Sequence, residues 1–190
     1  CSALSCMEQE RSAPALEPRE LVIIGGGSAG FGAAYQALQT GDFRVTLIEK
    51  NPGLGGTSVY GGVNCWELGI GGSGVHHRLA QALLAQGDAF VGHRSDPGVT
   101  PDTPWGISSK CDAPYSATLR RGMLDDSETY RFHFEPAAMA ELMQKFLQAA
   151  DPQHNRLELL LQSELTGVQA ENGKIVALRV RTQESERNLA

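Results

Sequence analysis

Gly25-Gly26-Gly27-Ser28-Ala29-Gly30 and, about twenty residues further on, Glu49 are the residues whose types and spacing best suit chemistry. The six fit the pattern G-x-G-x-x-G, a weak signal alone, because glycine clusters are common. Each glycine has a distinct physical use. Gly25 permits a tight turn, Gly27 lets a pyrophosphate approach the backbone, and Gly30 lets a helix pack close to a strand. The N–H groups of a first helical turn, including those of Ser28 and Ala29, have no helical acceptor and point at phosphate oxygens. A helix dipole adds about 0.3–1 kcal/mol, and charge-assisted hydrogen bonds roughly 1.5–3 kcal/mol each, so hydrogen bonds dominate such a site. Glu49 stands where an acidic side chain meets an adenosine ribose, and a carboxylate accepts from both ribose hydroxyls. It also disfavours a 2′-phosphate, by roughly 3 kcal/mol per unit charge at about 5 Å and an effective dielectric near 20. NADP is therefore disfavoured, unless Lys50 alters the local field.

The elements around these residues supply the context that the glycine pattern needs. Glu20 to Ile24 (ELVII) is a short apolar run that fits a buried parallel strand. Residues 28–39 predict a packed helix ending near Gly41, and Arg44 to Glu49 (RVTLIE) predict a second strand. Strand, helix and strand within about thirty residues predict a right-handed crossover and parallel strands. Residues 51–75 read as a long glycine-rich loop, and 76–85 as a short helix. From 88 to 118 the chain holds Pro97, Pro101, Pro104 and Pro114 and few apolar runs, which predicts an irregular excursion. Residues 129–134 alternate as a strand does; Pro136 then opens a helix to about Ala150 whose buried stripe is Met139, Leu142, Met143, Phe146 and Leu147. Leu157 to Leu161 predicts another strand, and Asn172-Gly173 predicts a hairpin between residues 166–170 and 174–180.

Charge and composition exclude several function classes. The 190 residues carry a formal net charge of −6, which argues against a nucleic-acid surface. No apolar run of about 18 residues occurs, so no transmembrane segment is expected. The cysteines, Cys1, Cys6, Cys65 and Cys111, lack C-x-x-C spacing, which argues against a zinc site or an iron–sulfur cluster. Residues 1–19 read as a flexible polar tail. Ala3-Leu4-Ser5-Cys6 is similar to the end of a lipoprotein signal, whereas Met7 equally suits a true start. The cytoplasm is the default compartment, with an exported lipoprotein as the alternative.

Other reactive side chains have plainer readings. Cys65 reads as a small buried hydrophobe, Trp66 as core, and Phe132 and Phe134 as core at strand spacing. Adjacent His76 and His77 point to different faces of a helix and lack a third ligand at metal spacing, so a surface or capping role is expected. His93, His133 and His154 are isolated, and Asp125-Asp126-Ser127-Glu128 reads as a solvated turn.

The residues just beyond Glu49 separate FAD from NAD. Lys50-Asn51-Pro52-Gly53-Leu54-Gly55-Gly56-Thr57-Ser58 resembles the second glycine motif of the glutathione-reductase-like flavoprotein superfamily. Gly55 to Gly72 (GGTSVYGGVNCWELGIGG), with Tyr130 to Pro136 (YRFHFEP), narrows the resemblance to the FAD-dependent oxidoreductase family of flavoproteins. It spans about residues 20–181, most specifically in the first fifty. The resemblance implies a Rossmann-like α/β FAD-binding domain over residues 20–190, with an irregular insertion at about 76–128. It implies FAD contacts from Gly25, Gly27, Ser28, Ala29, Gly30, Glu49, Lys50, Gly55, Gly56, Thr57 and Ser58, and a backbone contact to adenine from Leu165. The later ATGD-like segment of such flavoproteins is absent before Ala190, so the chain is expected to be truncated, with an incomplete FAD site. The implied function is flavin-mediated hydride or electron transfer; catalytic residues, small-molecule substrate and electron acceptor stay open. A non-catalytic dinucleotide-binding module and an NAD-binding dehydrogenase domain are the alternatives.

Overall fold

The computed structural model describes residues 17–67, 74–93 and 130–189. The expected α/β crossover stands at its centre. Strand β1 (Arg19–Ile24), helix α1 (Ser28–Thr40) and strand β2 (Phe43–Ile48) succeed one another, and β1 pairs with β2 in parallel from Arg19↔Phe43 to Ile24↔Ile48. Alpha-helical spacing puts Phe31, Ala34, Tyr35 and Leu38 of α1 on one buried face. The helix ends at Gly41, whose φ of 80° is the left-handed conformation that lets the chain reverse into β2. Along β2, Val45, Leu47 and Ile48 are buried, as expected of a central strand covered on both faces.

The strand expected at 157–161 is Leu157–Leu160, and it completes a three-stranded parallel sheet in the order β1-β2-Leu157–Leu160, with Val45 opposite Leu157. Before it runs the helix Pro136–Ala150, capped by Glu135, whose side chain accepts from the Ala137 N–H. Its apolar stripe, Met139, Leu142, Met143 and Leu147, is buried in the cluster that also holds Phe31 and Leu38 of α1. Each such side chain removed from water contributes about 1.5–3 kcal/mol.

Between β2 and this helix the chain builds a second layer, of which the sequence pattern discloses only the helix at 76–85 and the strand at 129–134. The glycine-rich stretch expected over 51–75 contains α2 (Thr57–Tyr60) and β3 (Cys65–Glu67), and is succeeded by α3 (Gly74–Gln86). The segment expected to be irregular from 76 to 128 instead opens in α3 and continues with β4 (Ala89–His93). Its remainder, residues 94–129, lies outside the described residues, as do the acidic cluster at 125–128 and the tail at 1–16. Strand β5 (Tyr130–Phe134) joins β3 and β4 into an antiparallel sheet of order β3-β5-β4. The reason for the difference is non-local pairing: β4 holds its place because Ala89 to His93 align with Phe134 to Tyr130, across an interval that no local pattern reveals. Phe132 and Phe134 are buried, as expected.

In chain order the helix Pro136–Ala150 is α4 and the strand Leu157–Leu160 is β6; after them come β7 (Glu164–Glu171), β8 (Lys174–Arg181) and β9 (Glu186–Leu189), an antiparallel sheet. The expected hairpin turn is present: Asn172 and Gly173 take φ of 50° and 76°. Strand β9, pairing Leu189 with Leu178, was not expected.

Candidate functional site

Parallel pairing brings the ends of β1 and β2 to one edge, so the glycine turn and Glu49 emerge side by side. The Gly25 N–H donates to the Ile48 carbonyl at 2.8 Å, extending the ladder by one step. The Gly26 N–H then donates to Glu49 Oε2 at 2.5 Å. This bond joins the two motifs directly. Gly25 has a φ of 96°, the tight turn that the pattern requires. At Gly30 a Cβ would overlap the Gly25 carbonyl oxygen and lie 3.3 Å from Ile23 Cγ2, so the helix approaches the strand as only glycine allows.

The start of α1 is open to an anion. Its N-cap is Gly27, which has no side-chain cap, and its first turn carries no acidic residue. The Phe31 N–H donates to the Gly27 carbonyl at 2.9 Å. The N–H groups of Ser28, Ala29 and Gly30 precede that first helical bond and have no acceptor within the helix. Ser28 and Ala29 are exposed. Among the described residues the first turn of the helix has neither a side-chain cap nor an acidic residue of its own.

The second glycine motif lies against the first. The Gly55 N–H donates to the Gly26 carbonyl at 2.8 Å. A Cβ on Gly56 would sit 2.9 Å from Gly27 Cα, whereas one on Gly27 would meet Gly56 Cα at an ordinary 3.8 Å. Bare backbone at Gly56 thus serves loop-on-loop packing as well as any ligand. Gly26, which the G-x-G pattern leaves without a role, is equally constrained, since its Cβ would lie 2.6 Å from Leu54 Cδ2. Its position as the x of G-x-G hid this. Beyond the motif, Thr57 is exposed at the start of α2 and Ser58 is buried beneath it. Lys50 is exposed.

Glu49 is only 4% exposed, and its carboxylate is already engaged. Oε1 accepts from the Asn51 backbone N–H at 2.8 Å and the Asn51 side-chain amide at 2.6 Å. The main chain here is tied to the exit of β6, where Ser163 N–H donates to the Glu49 carbonyl at 3.0 Å and Gln162 N–H to that of Asn51 at 3.1 Å. The expectation that Glu49 offers acceptors to both ribose hydroxyls therefore needs correction: of about four acceptor sites on a carboxylate, three are used. Asn51 and buried Ser163 were missed, although an amide two residues beyond the acid was a signal. Leu165 lies two residues past Ser163 on β7, half-buried and paired with Val180. Tyr60 packs over Gly53, where a Cβ would meet its hydroxyl at 2.7 Å. Burial, and then the Glu49 charge, push its phenol above the usual value.

The remaining candidates form a separate cluster. Trp66 stacks on Phe132 at 5.4 Å and meets the tilted rings of Phe134 at 5.0 Å and His76 at 4.1 Å, which accounts for it as packing. Burial, and then neighbouring His77, lower the His76 pKa. Cys65 is a half-buried free thiol opposite His133 on β5. Among the described residues no group of three His, Cys, Asp or Glu side chains could hold a metal ion. None of their helices is long and apolar enough to cross a membrane.

Comparison with known proteins agrees with this geometry. A family model described as FAD dependent oxidoreductase matches residues 20–190. A geranylgeranyl bacteriochlorophyll reductase-like protein from Thermoplasma acidophilum is similar at 17% identity and a TM-score of 0.52, over 90% of this chain and 37% of its own. The glycerol-3-phosphate dehydrogenase of Bacillus halodurans, solved with FAD, is 15% identical with a TM-score of 0.49, over 91% and 32% respectively. THI4 of Thermovibrio ammonificans is 14% identical with a TM-score of 0.43, over 87% and 47%. The first of these likenesses is one of fold. The chain spans less than half the length of each.

Proposed function

Because the chain belongs to the FAD dependent oxidoreductase family, we propose that residues 20–190 form the part of a flavoenzyme that grips the AMP and pyrophosphate portions of FAD. The cradle suits that group. The uncapped start of α1 presents the N–H groups of Ser28, Ala29 and Gly30 to an anion, and Gly27 adds no side chain to obstruct its approach. Glu49 supplies its remaining acceptor to the adenosine ribose. Gly55, Gly56 and exposed Thr57 continue the surface beyond the glycine turn, with a hydroxyl able to donate to phosphate. Leu165 and Lys50 border the adenosine side. Bound FAD supplies the hydride or electron transfer, acting on an organic substrate.

The observation that carries this reading is the 2.5 Å bond from Gly26 N–H to Glu49 Oε2, which fixes the phosphate turn and the ribose acid as one unit. The test is retention of cofactor. After incubation with FAD and gel filtration, the purified full-length protein should keep a flavin absorption band, and that band should bleach with a reductant. A correctly folded chain that elutes colourless yet binds NADH would overturn the reading in favour of a nicotinamide-nucleotide site.

A further inference from the structure

The two oxygens of Glu49 are not equivalent. A carboxylate offers about two acceptor directions on each oxygen. On Oε1 both are taken by Asn51, through its backbone N–H at 2.8 Å and its side-chain amide at 2.6 Å. On Oε2 one is taken by Gly26 N–H at 2.5 Å. The backbone that carries these donors is held in turn, since the Asn51 carbonyl accepts from Gln162 N–H and the Glu49 carbonyl from Ser163 N–H. Glu49 itself is 4% exposed. Among the described residues a single acceptor direction remains, on the oxygen that accepts from Gly26 N–H.

We propose that Asn51 is a positioning residue for the adenosine: by filling Oε1 it makes Glu49 a one-hydroxyl acceptor, so that one ribose hydroxyl bonds to Oε2 and the other does not bond to Glu49. This rests on the reading that Glu49 meets the ribose of FAD. Rotation of the carboxylate to offer both oxygens would break the two bonds from Asn51. The short reach of an Asn side chain, two residues beyond the acid, closes this local ring.

The test uses the full chain and four probes that displace FAD: ADP, 2′-deoxy-ADP, 3′-deoxy-ADP and 2′,3′-dideoxy-ADP. One monodeoxy nucleotide should bind within about twofold of ADP, and the other should bind about tenfold or more weakly, as loss of a hydrogen bond to a charged group requires. The dideoxy nucleotide should match the weaker one. In Asn51→Ala, which frees one acceptor on Oε1 and keeps the backbone bond, both monodeoxy nucleotides should bind more weakly than ADP. Equal losses for the two monodeoxy probes in the unaltered chain would overturn the role of Asn51 and leave the ribose reading standing. A dideoxy nucleotide that binds as well as ADP would instead overturn the ribose reading itself. The comparison within the unaltered chain decides even if Asn51→Ala does not fold.

Discussion

The two ends of the parallel sheet are each organised by one buried carboxylate, and the chain finishes them differently. At the end where β1 and β2 terminate, Glu49 holds the glycine turn, yet the start of α1 has no side-chain cap and no acidic residue in its first turn. At the opposite end, Asp151 is 1% exposed and its Oδ2 accepts from Arg156 N–H at 2.9 Å and Leu157 N–H at 3.0 Å. Arg156 reaches further, donating to the Leu38 carbonyl at 3.0 Å and the Ala150 carbonyl at 3.4 Å, near the C-terminal ends of α1 and α4. A cation at helix C-termini complements their dipoles, so this end is closed mainly by the chain's own groups, although among the described residues buried Asp151 Oδ1 has no hydrogen-bond partner and lies 3.8 Å from Arg156 Nε. The same two ingredients, a carboxylate and helix ends, thus stabilise the fold at one edge and leave polar groups for a ligand at the other. Substitutions at the two ends should separate stability from cofactor affinity.

The largest effect is expected at the finished end. Asp151→Ala removes a buried carboxylate and leaves the backbone N–H groups of Arg156 and Leu157 without their acceptor, which should cost about 2–4 kcal/mol in unfolding free energy. Denaturant unfolding measures it, and a loss below about 1 kcal/mol would mean that the network contributes little. The same residue gives a pH dependence. Burial alone pushes the Asp151 pKa up, but the N–H groups of Arg156, Leu157 and Asn155 and the Arg156 charge outweigh burial and hold it below the ordinary value. A carboxyl whose folded pKa is depressed contributes stability that is present above its unfolded pKa, near 3.9. That stability is lost as pH falls through the lower folded value. Acid unfolding of the unaltered chain should contain this component, and that of Asp151→Asn should lack it.

Gly30→Ala tests the open end with a smaller cost in stability and a larger one in function. The new Cβ overlaps the Gly25 carbonyl, so the turn must move, at about 1–3 kcal/mol of strain. FAD retention should fall sharply while the far end stays intact. Full retention would show that the turn adapts without losing its N–H geometry. Next in size is Glu49→Ala, which should weaken FAD binding by about 1–3 kcal/mol, the scale of a hydrogen bond to a charged group. Equilibrium dialysis decides, and an unchanged affinity would remove the ribose role.

The two ends also differ in how far the amino-acid sequence discloses them. The crossover from β1 to β2 is legible because apolar runs, a glycine turn and helical periodicity all lie within one local stretch. Gly30 is legible for the same reason. Asn51 is not, because its part depends on which oxygen of Glu49 it reaches, a matter of side-chain direction rather than spacing. Asp151 and Arg156 are not legible either: Arg156 acts on Leu38, far away in the chain, and only the folded packing of α1 against α4 brings them together. Of the second sheet, β5 is legible from its alternation, whereas three-residue β3 and β4, which lies in a stretch of few apolar runs, take their places only by pairing with it. The glycines were legible as glycines, but Gly56 and Gly26 proved to serve the contact between loops as much as any ligand.

The smallest effect sharpens the open end most finely. Thr57 and Ser58 are neighbours with equivalent hydroxyls, one exposed at the start of α2 and the other buried beneath it. If the cofactor lies along the outer surface of the second glycine motif, only the exposed hydroxyl can donate to it. Thr57→Val keeps the shape and removes the donor, and should weaken FAD binding by about 0.5–1.5 kcal/mol, the net worth of one hydrogen bond. Ser58→Ala should leave FAD affinity within about twofold, because the hydroxyl it removes is buried away from that surface. The reverse pattern, with Ser58→Ala weakening the cofactor and Thr57→Val silent, would place the ligand on the inner side of α2 and require the two glycine motifs to separate when it binds.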